Sequence, residues 1–133
     1  MWQRSLLALT ALLLAGNGAH MLFAPAHWYG SIASVAHTGP FNAHFVRDIG
    51  CAYLAAAVGL GLGAWRTRWQ VPGALTALSF LGAHALLHLT ESFLHTDAAN
   101  HAGAIDTFGV YVPALIALAV GVLPARSTEG ARP

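Results

Sequence analysis

The sequence predicts an all-α integral membrane protein, a four-helix bundle with both termini in the cytoplasm. Three observations carry that prediction. The chain of 133 residues is 56 % apolar and only 8 % charged, too little polar surface for a soluble domain of this size. Four apolar runs, at 5–24, 43–65, 72–95 and 102–123, each reach the roughly 20 residues that a hydrocarbon core of about 30 Å requires. Arg4, Arg66, Arg68, Arg126 and Arg132 flank the N-terminus, the middle connection and the C-terminus, whereas the other two connections carry no Lys or Arg. By the positive-inside rule that asymmetry places both ends and the middle connection in the cytoplasm of a plasma (inner) membrane protein.

Each segment has local signals. The first begins after Met1-Trp-Gln-Arg4 and is followed by Pro25. Its Arg4, the run Leu6 to Ala15 and the small residues Gly16 to Ala19 also fit a cleavable signal peptide, but the apolar run resumes at Met21 and reaches spanning length. Gly39-Pro40 and Asn42, the expected N-cap, open the second segment, and Pro72 lies in the first turn of the third. Asn100 precedes the fourth, where Pro113 removes a backbone donor and frees a carbonyl near Gly109. Residues 1–123 form one domain, and 124–133, rich in Pro, Arg and Gly, read as a disordered cytoplasmic tail. Trp2, Trp65 and Trp69 fall at the inner interface, and Trp28 with Tyr29 at the outer one.

The third segment carries the telling pattern, His84-Ala-Leu-Leu-His88-Leu-Thr-Glu91-Ser-Phe-Leu-His95. At 100° per residue these four ionisable positions share an arc of about 60°. Each costs roughly 2.5 kcal/mol or more at hydrocarbon depth, so such a stripe faces a bundle interior, a partner or a ligand. The second segment has a similar stripe of His44, Arg47, Asp48 and Cys51, continued by Ala55 and, nearby, by Gly59 and Gly63 in a GxxxG spacing suited to close helix packing. With the predicted topology, Asp48, Glu91 and Asp106 lie roughly 7–10 Å below the outer boundary, with His88 one turn deeper. His27, His37 and Asp97 fall in the outer connections, and His101 beside the last of them.

The pattern Asn42…Arg47-Asp-Ile-Gly50-Cys-Ala-Tyr53-Leu, with Pro25 and Trp28-Tyr29 before it and Arg66-Thr-Arg68 after it, resembles small bacterial four-helix membrane proteins of the DoxX-like group. The resemblance implies the membrane fold over most of the chain and no particular activity.

The residues themselves point to a metal site in the outer half of the bundle. His84, His88, Glu91 and His95 from one helix, with His20, His44, Asp48 and Asp106 from the others, form a candidate ligand set of imidazole and carboxylate that suits Zn, Fe or Cu. The order His-x-x-Glu occurs once, which does not support a ferritin-like di-iron centre. With such a metal, Glu91 or Asp106 would accept protons and Arg47 would steady negative charge on a lipid-soluble or extracytoplasmic substrate. One alternative is a haem held by His84 or His88 together with His20 or His44. Another is a non-catalytic membrane subunit or scaffold in which Arg47 forms an ion pair with Asp48 or Glu91.

Several classes are excluded or unsupported. A net charge of +1 without a basic run argues against nucleic acid as a partner. No nucleophile elbow, P-loop, dinucleotide fingerprint or H-E-x-x-H run occurs. The single Cys51 cannot form an intrachain disulfide. Membrane lipid is the certain environment of such a chain, and a homo-oligomer or a larger membrane complex is compatible with it.

Overall fold

The structure, a computed structural model, describes residues 2–32, 35, 39–94 and 106–122. Helix α1 spans Trp2–Phe23, short α2 Pro25–Ser31, α3 Ala43–Trp65 and α4 Gln70–Leu94. A single 3-10 turn, Thr67–Trp69, links α3 to α4. The last helical stretch begins with a π-helical turn, Thr107–Tyr111, and continues as α5, Val112–Val122. No strand occurs among the described residues.

Three of these stretches, Trp2–Phe23, Ala43–Trp65 and Thr67–Phe93, are long and apolar enough to cross a membrane, and Thr107–Val122 is a shorter apolar helix. The expected fourth span of 102–123 is thus described only from Asp106 onward. His37, His95, Asp97, Asn100, His101 and the tail at 124–133 lie outside the described residues.

Sequence signals account for the boundaries. Asn42 caps α3 as expected, its Oδ1 accepting from the backbone N–H of His44 at 3.0 Å and of Phe45 at 3.2 Å. Pro25 stands at the first position of α2, where its missing N–H costs nothing. At the opposite end, Arg4 reaches across to α3, donating from Nε to Ala64 O at 2.7 Å and from Nη2 to Trp65 O at 2.6 Å. These carbonyls close the last turn of α3 and have no intrahelical partner, so a guanidinium there satisfies them and offsets the helix dipole.

Packing follows chain order, α1 against α3, α3 against α4, and α4 against α5. Glycines set the two closest approaches. A Cβ on Gly18 would stand 2.7 Å from Gly50 O, and one on Gly59 2.7 Å from Gly73 O, so α3 meets α1 through one pair and α4 through the other. Leu7, Met21, Leu60 and Leu81 are fully buried between these helices. α1 and α5 make no comparable contact, and a space remains between them.

Candidate functional site

That space is a cavity of about 310 Å³. Leu9, Leu13 and Leu14 of α1 and Val112, Pro113 and Ile116 of α5 supply apolar wall, and Asn17, Tyr53, His84, His88 and Asp106 supply its polar and aromatic groups. Its volume lies at the lower end of the range for small-molecule sites, which are mostly apolar with a few placed polar groups.

The polar groups are ordered by helical spacing. Phe80, His84 and His88 stand at successive i, i+4 positions of α4, so their rings stack along one face. The Phe80 and His84 rings lie stacked at 5.4 Å between centroids, and His84 meets His88 edge-on at 4.7 Å. Tyr53 of α3 adds edge contacts to Phe80 at 5.2 Å and to His84 at 5.9 Å. His88 ends the column, its Nδ1 3.4 Å from Oδ2 of Asp106, with both side chains largely shielded. Opposite them, Trp28 folds back from α2 and donates from Nε1 to Oδ1 of Asn17 at 2.9 Å, while the Asn17 amide leans on the Met21 sulfur at 3.9 Å.

Of the eight ligands anticipated from sequence, seven are described, and the structure brings His84, His88 and Asp106 to one cavity and leaves His20, His44, Asp48 and Glu91 outside its lining. His20 Nε2 lies 2.8 Å from Nδ1 of His27, so these two imidazoles share one hydrogen bond. His44 and Asp48 pair with each other on the outer face of α3 at 3.4 Å, with side chains 88 % and 60 % exposed. Glu91 is exposed and does not line the cavity. His95 falls outside the described residues. Among the described residues, no group of three or more His, Cys, Asp or Glu side chains is placed to hold a metal ion. A bis-His haem set is likewise not assembled there, because neither His20 nor His44 lines the cavity with His84 and His88.

Arg47 corrects a second expectation. It forms no ion pair with Asp48 or Glu91 among the described residues; instead its Nε donates to Leu22 O, at 3.2 Å, near the end of α1. Adjacent residues point about 100° apart on a helix, which carries Asp48 toward His44 and Arg47 toward α1. Trp28, beyond its expected place in an outer aromatic belt, gives its N–H to Asn17 at the cavity wall. Asn17, Trp28 and Tyr53 were not among the anticipated site residues. An asparagine in an apolar segment needs a partner, and Trp28, returned toward α1 by the turn at Pro25, supplies the donor.

Comparison with protein-family models, with curated proteins and with solved structures gives no match to this chain. The site therefore rests on its own geometry: an apolar space, one shielded His–carboxylate pair and an aromatic column behind it.

Proposed function

We propose that this is a multi-pass plasma (inner) membrane protein, a four-helix bundle with cytoplasmic termini, that binds a lipid-soluble small molecule between its first and last helices. The observation that carries this reading is the cavity of about 310 Å³, walled by Leu13, Ile116 and other apolar side chains and by the His88–Asp106 pair. Since a dry cavity of about 150 Å³ admits benzene, this space suits a ligand of about twelve non-hydrogen atoms, the size of two fused rings. The loose α1–α5 side gives such a molecule a path from the lipid. The arginine asymmetry turns the histidine end of the bundle outward.

Asp106 is the positioning residue and His88 the one that meets the ligand. In the tautomer that carries its proton on Nδ1, the nitrogen 3.4 Å from the Asp106 carboxylate, Nε2 is left as an acceptor for a ligand hydroxyl or acid proton. His84, packed between Phe80 and Tyr53, holds the column in register. Arg47 and Glu91 have no part in this reading.

Calorimetric titration of the protein in lipid nanodiscs with 1-naphthol and naphthalene tests it. Saturable binding of both is expected, with 1-naphthol tighter by about tenfold for one hydrogen bond to a polar residue. His88→Leu should erase that difference, and Leu13→Trp should fill the space and block both. Saturable binding of neither compound, or binding indifferent to Leu13→Trp, would overturn the proposal.

A further inference from the structure

One face of α3 is left uncovered along its whole length, and its outer half carries charge. At 100° per residue, His44 and Leu62 lie on one line, Cys51 and Ala55 within about 20° of it, Asp48 about 40° to one side and Arg47 about 60° to the other. All six are exposed. Midway along α1, by contrast, the exposed large side chain outside the cavity lining is Leu12, which is what lipid requires. Asp48 lies five residues inside α3, about 7.5 Å from its start, where carboxylates seek a partner rather than acyl chains.

We propose that this face is the contact between two copies of the chain, related by a two-fold axis along the membrane normal, in which each Asp48 pairs with the partner's Arg47. The handedness of the stripe selects that occupant. When two identical, co-directional helices face one another across such an axis, the right flank of one meets the left flank of the other. Carboxylate and guanidinium lie on opposite flanks at one depth, so both pairs form at once. Among the described residues only Nε of Arg47 is engaged, with Leu22 O, and the terminal nitrogens of its five-donor fork can meet a carboxylate. Between the pairs, the small residues Cys51 and Ala55 let the backbones approach. This surface is separate from the cavity and does not depend on what the cavity binds.

The chain carries its own reporter, because Cys51 is its single cysteine and lies close to the proposed axis. In native membranes treated with copper phenanthroline, wild-type protein should give a disulfide-linked dimer on a non-reducing gel, and Cys51→Ser should give none. Light scattering in mild detergent should return twice the 13.9 kDa of the chain. Asp48→Arg sets like charges opposite one another and should weaken the dimer by at least about tenfold. Arg47→Asp combined with Asp48→Arg restores opposite signs and should recover the cross-link, which also shows that the singly changed chain fails at the interface and not in folding. A monomeric mass with Cys51 open to maleimide overturns the proposal, as does a monomer with Cys51 shielded by its own chain. A cross-link indifferent to Asp48→Arg overturns the pairing.

Discussion

Gly59 of α3 and Gly73 of α4 meet backbone to backbone, with the carbonyl of each where the other's side chain would begin. Helices in lipid gain little from hiding apolar surface from one another, so close contact of this kind is their main adhesive. Gly59→Ala would place a methyl 2.7 Å from Gly73 O and force α3 and α4 apart. We expect a loss of about 1–3 kcal/mol, read as a fall in melting temperature in mild detergent. Gly16→Ala, with nothing within 4 Å of the new methyl, should leave the protein unchanged or slightly more stable. Equal melting of the two variants would show that the glycine contact does not hold the bundle.

His88 and Asp106 provide the one shielded His–carboxylate contact among the described residues, at 3.4 Å. Interhelical polar pairs in membrane proteins contribute about 0.6 kcal/mol on average and up to about 2 kcal/mol. A double-mutant cycle with His88→Ala and Asp106→Ala should therefore yield a coupling of that order, measured by unfolding in detergent. Measured on the chain dissociated to monomer, the same cycle on His44 and Asp48, whose side chains are mostly exposed there, should give a coupling near zero. A larger coupling for the surface pair would invert the assignment of the site.

The stripe on α4 was legible in the sequence because helical spacing alone brings His84 and His88 together. Which carboxylate completes it was not legible. Asp48, Glu91 and Asp106 have similar expected depths, yet depth does not tell which side of a helix is covered: α3 meets the stripe through Tyr53 while its Asp48 is exposed, Glu91 is exposed on α4, and of the three only Asp106 reaches His88. The same limit applies to close packing. Gly59 and Gly63 announce themselves by spacing within one segment, whereas Gly18 and Gly50 become a contact only once α1 and α3 are placed side by side. Asn17 shows what local reading can recover: a lone amide in an apolar run predicts a partner, and the turn at Pro25 brings Trp28 back to it.

Pro113, itself part of the cavity wall, stands two turns from Asp106. Proline has no N–H to offer Gly109 O, and its ring crowds that carbonyl, so the preceding turn widens. The structure shows the consequence as a π turn over Thr107–Tyr111, in which the N–H of Val112 donates to Thr107 O, five residues back. A π turn holds one residue more than an α turn, and it rotates everything before it by about 100° relative to α5. Asp106 lies immediately before that turn and owes its bearing on His88 to it. Pro113→Ala restores the missing donor and should let the segment relax to α-helix, raising the melting temperature or leaving it unchanged. In that background the His88–Asp106 coupling should vanish and the preference for 1-naphthol over naphthalene should shrink, although neither His88 nor Asp106 has been altered. Retention of both the coupling and the preference in Pro113→Ala would show that the π turn is fixed by packing around Val110 and not by the proline.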